Sequence, residues 1–240
     1  MSLAFRTVNY TIKGLTQALC RIESEHLKQV PSCGPLILVC NHVNFLEVPV
    51  VFTHLQPRPV TGLVKAETWD SPFLGPLFNL WGGIPVRRGE PDTAALRRAI
   101  QSLAQGKILA ISPEGTRSGT GILQRGHPGI VSLALHSGAP LLPLVYYGGE
   151  AFHHNLRRLR RTDFHIRVGQ PFHLATHNGL VTRGVRQQIT DEIMYQLAAL
   201  LPSQYRGAYA DLASATRQYI RLIEDTEFTL TNNSIRNTTH

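Results

Sequence analysis

Short apolar runs alternate with stretches of helical periodicity along most of this chain, and few folds bury both at once. "LILVC" (36–40) reads as a buried strand. "PVTGLVKA" (59–66), "GIPV" (83–86), "ILAIS" (108–112), "PLLPLVYY" (140–147) and "FHIRVGQP" (164–171) read as further strands. Between them, "PDTAALRRAIQSLAQGK" has the marks of a helix: Asp92 as cap, Leu96, Ile100 and Leu103 on one face, Gly106 as the stop. Another helix is expected over about 128–137, ended by Gly138. Val185, Ile189, Ile193, Leu197 and Leu200 mark a long helix stopped by Pro202, and a further helix is expected through about 207–224. The alternation predicts an α/β fold: three layers, with a mainly parallel sheet flanked by helices.

At the N-terminus, Phe5, Val8, Ile12, Leu15 and Leu19 form one helical stripe, with Arg6 and Lys13 off it. Such a stripe can lie on a bilayer with its basic residues near lipid phosphates, or pack on the protein's own core; the sequence supports both equally. The expected organisation is an amphipathic helical segment over 1–30 with membrane-surface contact, a main domain over 31–225 and a polar tail over 226–240.

Composition narrows the partners. Hydrophobic residues make up 42% and charged residues 17% of 240, enough apolar material for a real core. No apolar stretch approaches the ~18 residues of a membrane span, and no signal peptide is evident. Three cysteines, Cys20, Cys33 and Cys40, fit neither a disulfide framework nor a zinc site, and a reducing cytoplasm is the simplest setting. The formal net charge of +8 draws the molecule to anionic surfaces. No zinc-finger spacing, RRM-type aromatic motif or long Lys/Arg tract accompanies it, so nucleic acid is not expected as a partner. Of the histidines, His153, His154, His165, His173 and His177 offer no convincing metal-ligand spacing, and no metal site is expected.

In "NHVNFLEVPV" (41–50) His42 stands five positions before Glu47. On a regular helix that is about 500° of rotation, which points the side chains some 140° apart. A capping box explains Glu47 if Asn44 is the cap. Pro49 tells against that, because it would fall where its missing N–H costs a hydrogen bond. A later start leaves Glu47 at the helix entrance, free to turn back towards His42. A neutral imidazole so placed can take a proton from a hydroxyl while the carboxylate steadies the imidazolium. No G-x-S-x-G elbow is present, which argues against an α/β-hydrolase.

Three further stretches follow in order: "GGIPVRR" (82–88), "SPEGTRSG" (112–119) and "SGAPLLPLVYYG" (137–148). Together with the His42 segment, they resemble the bacterial 1-acyl-glycerol-3-phosphate acyltransferases and the wider glycerolipid acyltransferase family, over about residues 22–172. That family carries N-H-x4-D, G-x-I-P-V-x-R, F-P-E-G-T-R-S and V-P-x-x-P-V blocks. The resemblance implies that 31–225 is an acyltransferase domain with a glycerolipid acyltransferase-like fold. It implies His42 as the catalytic base with Glu47 as its carboxylate partner. It also implies that Lys65, Arg88, Glu114, Gly115, Thr116 and Arg117 contact substrate, with Lys65, Arg88 and Arg117 gripping a phosphate. Glu47 replaces the usual Asp, lengthening the reach by roughly 1 Å, a displacement that can cost a hundredfold in rate. Arg87 falls where many members have Asp, and Ser112 replaces the usual Phe.

The implied reaction transfers an acyl group from acyl-CoA or acyl carrier protein to the hydroxyl of a lysophospholipid, with no metal or cofactor. The implied setting is cytoplasmic, at the inner face of the cell membrane. Plainer readings remain: Glu114 and Arg117 as an exposed ion pair, Lys65 as a solvated lysine, Arg88 and Arg87 as a solvated pair. At the level of the whole protein the rivals are another lysophospholipid or glycerol-3-phosphate acyltransferase, a hydrolase using His42 with water, and a non-catalytic anionic-lipid binder. "RRLRR" (157–161) offers a second electrostatic membrane contact or a solvated loop. "IMYQLAALLPSQYRGAYAD" is expected to form two helices covering the sheet.

Overall fold

The computed structural model describes residues 3–87, 89, 92–176 and 181–224. The chain enters through helix α1 (Leu3–Leu19) and the short strand β1 (Cys20–Ile22), then crosses the centre of the molecule as β2 (Leu36–Cys40). Helix α2 (Glu47–His54) leads to β3 (Val60–Lys65), α3 (Leu74–Leu80) to β4 (Ile84–Val86), and α4 (Thr93–Ala104) to β5 (Ile108–Ile111). Helix α5 (Gly129–Ser137) precedes β6 (Leu141–Tyr147), and α6 (Phe152–Arg157) precedes the long strand β7 (Thr162–Val168). Strand β8 (Phe172–Leu174), helix α7 (Arg183–Leu200) and strand β9 (Ile220–Leu222) complete the described chain.

The five strands β4, β3, β5, β2 and β6 lie side by side in that order and all parallel. Strand β7 runs antiparallel to β6, with β1 parallel to β7 on its outer side. β8 joins β6 and β9 antiparallel. The fold is therefore the expected one, a mostly parallel sheet flanked by helices. Parallel strands need helical crossovers, which cover both faces and leave the strands apolar throughout. In β2 every residue is buried, with Ile37 and Val39 facing a core shared with α4, α5 and α7. Leu36, Leu38 and Cys40 face the second core, shared with α2, α3 and the inner side of α1.

Local signals place the start of α4 and the end of α5. Asp92 Oδ1 accepts the Ala95 N–H at 2.9 Å, as a cap should, and α5 stops at Gly138 with φ of 62°. Two expectations need correction. The stripe of α1 does not act as one face: Phe5 and Ile12 pack on the second core, while Leu15 and Leu19 stay exposed. The buried face is fixed by Asn9, whose Oδ1 accepts from Trp81 Nε1 at 2.9 Å, and by Thr16. The helix expected over 207–224 is absent. Short 3-10 turns at Ser203–Tyr205, Gly207–Tyr209 and Leu212–Ser214 lead instead into β9. Here tertiary bonds replace the helical ladder: Leu123 N–H donates to Tyr205 O, and Ala208 N–H to Leu123 O. Residues 226–240, the expected polar tail, lie outside the described residues.

Because β2, β3, β5 and β6 are parallel, their C-terminal ends emerge along one edge. That is where a sheet of this kind presents loops to a ligand.

Candidate active site

His42 follows β2 by two residues, and Asn41 carries the strand one step further. Its side chain accepts from Tyr146 N–H at 2.8 Å and donates to Tyr146 O at 2.9 Å, copying the bonds a strand residue makes to β6. The backbone of His42 is held by the loop that follows β5. Its N–H donates to Glu114 Oε1 at 2.7 Å, and its carbonyl accepts from Ser118 N–H at 2.8 Å. Gly119 N–H likewise donates to Val43 O at 2.9 Å. The first and third sequence blocks are thus sewn together by main-chain bonds, and the ring of His42 is left half-buried at their junction.

Glu47 is the first residue of α2, and Pro49 sits in the first turn, where no intrahelical N–H is needed. The carboxylate turns back as expected and divides its work. Oε1 accepts from Val43 N–H at 2.6 Å and from Asn44 N–H at 2.7 Å. Oε2 lies 4.0 Å from His42 Nδ1, within ion-pair range but too far for a hydrogen bond, and has no hydrogen-bond partner among the described residues. Burial pushes the Glu47 carboxyl up to about 7, against the opposing pull of the two N–H donors and the Arg117 charge.

Glu114 is also buried. Its second oxygen accepts from Gln124 N–H at 2.9 Å, so both oxygens serve the main chain. Burial pushes it up to about 7 as well, with the Glu47 charge adding in the same direction. Gly115 takes a φ of 68°, and a Cβ there would stand 3.2 Å from the His127 ring, so glycine suits both the turn and the close approach. Thr116 and Arg117 are exposed, and the Arg117 charge reaches Glu47. Lys65 ends β3 with its Nζ 3.3 Å from Glu67 Oε1. Arg88 lies outside the described residues.

An apolar cavity of about 230 Å³ opens beside the pair, lined by His42, Glu47 and Gly115 at its polar end. Val51, Phe52, Leu63, Val64, Phe78 and Ala110 wall its depth, between α2, α3 and the sheet. Gly115 and Ser112 also border a second cleft of about 490 Å³ on the opposite face of the sheet. Ser112 Oγ is buried without a hydrogen-bond partner among the described residues. Cys40 lines the cavity too, but burial drives its thiol up to about 12, which keeps it from serving as a nucleophile. The structure therefore brings together His42, Glu47, Glu114, Gly115 and the charge of Arg117. It leaves Lys65 and Thr116 on the surrounding surface. Asn41, Tyr146 and the cavity wall escaped the sequence reading; an asparagine at the strand end, next to the histidine, was the only local sign of them.

Such an arrangement can deprotonate a hydroxyl next to a bound apolar chain. Comparison with known proteins gives the family of the chain. The family model "Acyltransferase" matches residues 21–147. The 1-acyl-sn-glycerol-3-phosphate acyltransferase of Bacillus subtilis is 22% identical over 174 residues, 72% of this chain and 84% of its own. The lyso-ornithine lipid O-acyltransferase of Pseudomonas aeruginosa is 29% identical over 189 residues, 78% of this chain and 67% of its own. The crystal structure of the 1-acyl-sn-glycerophosphate acyltransferase PlsC from Thermotoga maritima superposes with a TM-score of 0.57 at 19% identity, covering 79% of this chain and 76% of that one. That likeness is one of fold.

Proposed function

This chain belongs to the acyltransferase family, and from that premise we propose that it moves a fatty acyl group from acyl-CoA or acyl carrier protein to the free hydroxyl of 1-acyl-glycerol-3-phosphate, giving phosphatidic acid. The observation that carries the reading is the seat of His42, beside an unbonded carboxylate oxygen and at the polar end of an apolar cavity.

With Nδ1 turned to Glu47, His42 Nε2 is the nitrogen left to take the acceptor's proton. The acceptor oxygen attacks the thioester carbonyl, a C–O bond forms and the C–S bond breaks. The imidazolium returns its proton to the departing thiolate, so the step balances without a metal or cofactor. Glu47 Oε2, within ion-pair range of Nδ1, steadies the charge of the imidazolium as it forms. The cavity takes the acyl chain of the donor. Arg117, Arg88 and Lys65 hold the acceptor's phosphate, Lys65 exchanging Glu67 for it. Gly115 lets the backbone approach the ligand, and Thr116 flanks the headgroup. Glu114 serves the site by holding the His42 backbone in place.

Acceptor and product are membrane lipids, and the reading places the protein in the cytoplasm, against the inner face of the cell membrane. No helix among the described residues is long and apolar enough to cross a bilayer. Contact is peripheral, through the outward side of α1, where Leu3 and Tyr10 are exposed and Arg6 and Lys13 flank them.

The lyso-ornithine lipid enzyme among the relatives favours one second reading, a different lysolipid acceptor for the same chemistry. Thiol release from acyl-CoA decides, measured with lysophosphatidate, glycerol 3-phosphate, lysophosphatidylethanolamine, a lyso-ornithine lipid or no acceptor. The expected result is release that depends on lysophosphatidate and is lost in His42→Ala. Equal release without acceptor would make the protein a hydrolase. Release with none of the mixtures would make it a lipid binder.

A further inference from the structure

The edge that carries His42 also carries exposed apolar side chains that its own fold does not need. Phe45, three residues past His42, is 41% exposed. Its ring packs edge-on against Phe152 of α6, with centroids 5.5 Å apart, and tilts against His153 at 5.8 Å. From there α6 leads outward to Leu156 and then to Leu159, which is 95% exposed. Strand β7 runs antiparallel to β6, pairing His165 with Tyr147, so the loop before Thr162 projects beyond the C-terminal end of β6. That is the side on which β2 delivers His42.

Leu159 is the only non-glycine residue with positive φ among the described residues, at 53°. The left-handed region is sterically costly for a leucine and free for a glycine. A large apolar side chain in strained backbone, almost wholly in solvent, is poorly explained by folding alone. Arg157, Arg158 and Arg160 surround it and are exposed, and no carboxylate pairs with them among the described residues. Arg161 alone is engaged, donating to Gln17 O and Cys20 O at the end of α1. That bond joins the loop to the part of α1 where Leu15 and Leu19 are exposed.

We propose that Phe45 and the α6–β7 loop form a second lipid-contact surface beside His42, which seats the catalytic edge on the headgroup layer of an anionic bilayer. The proposal rests on the acyltransferase reading for its purpose, delivery of a membrane-resident acceptor to His42. Leucine at the apex enters the acyl boundary while the guanidinium groups stay at phosphate level, the division amphipathic surfaces make at such an interface. Continuity with the outward face of α1 and the excess of positive charge select a lipid surface as the occupant.

The test floats the full chain with vesicles of phosphatidylcholine alone or mixed with phosphatidylglycerol. Leu159→Gly relieves the strained backbone and is expected to melt no lower than the parent, yet to bind both vesicles more weakly. A chain in which Arg157, Arg158 and Arg160 are all changed to Gln is expected to lose binding only to the anionic vesicles, roughly fivefold for each arginine. Both variants should acylate a short-chain, water-soluble acceptor at the parental rate and a vesicle-embedded one more slowly. Unchanged flotation of the folded variants would overturn the proposal. So would a loss confined to binding of an acidic protein such as acyl carrier protein, with vesicle binding intact. If the parent transfers no acyl group to any acceptor, the functional reading fails, and flotation still decides the lipid surface.

Discussion

At the scale of the residue, Glu47 shows how one carboxylate can satisfy two readings that exclude each other in the sequence. Its Oε1 makes the backward bond of a capping box, and its Oε2 faces His42. Glu47→Gln keeps the size and the two backbone bonds but turns an NH₂ towards Nδ1, forcing the ring proton onto Nε2. Turnover is expected to fall by about 10⁴, the scale of a tautomer error, with vesicle binding unchanged. Near-normal turnover would reduce the pair to a structural contact. The raised Glu47 sets two opposite pH trends. Acyl transfer should rise with pH through about 7 as the carboxylate ionises. Stability should run the other way. The folded state holds the proton more tightly than the unfolded chain, so this contribution is present below about 4.5 and fades as pH rises to about 7. Glu114, raised alike, adds the same sign. Urea melts of the parent and Glu47→Gln across that window should differ in slope, the parent losing more stability.

At the scale of the element, the site is two loops braced against each other over a cavity between α2, α3 and the sheet. The bracing bond spans 72 residues of sequence, from the His42 N–H to Glu114. The family resemblance assigned Glu114 to substrate through its place in the third block; its buried oxygens, both taken by main-chain donors, are a property of the folded loop. The cavity wall was equally hidden. Phe52, Val64, Phe78 and Ala110 read only as core residues of separate elements. Ala110→Leu adds bulk where the wall is open, so the profile of kcat/KM against acyl-CoA chain length should shift towards shorter donors. An unchanged profile would place the acyl chain elsewhere. The absent helix at 207–224 belongs to this scale too: Gly207 sits so close that a Cβ would meet Leu123 O at 2.1 Å, and the segment follows that loop rather than its own ladder.

At the scale of the whole molecule, α1 separates an inward face that holds the fold from an exposed outward face, the one proposed to meet lipid. Asn9→Ala removes the acceptor of Trp81 Nε1 in a buried setting and is expected to cost about 1–3 kcal/mol, seen as a lower Tm. Tyr10→Ser, on the outward face, should leave Tm in place and weaken vesicle flotation; the reverse pattern would exchange the two faces. The central parallel strands, α4, α5, α7 and the order of the four motif blocks were legible in the sequence alone. The strands there are short, continuous apolar runs, the helices carry a 3.6-residue period, and caps such as Asp92 and Gly138 act on their own neighbours. What waited for the tertiary structure was β1, β8 and β9, the buried face of α1, the division of labour between Glu47 and Glu114, and the shared cavity. Each of these depends on hydrogen bonds or packing between segments distant in sequence, and no local period records where a loop will meet another.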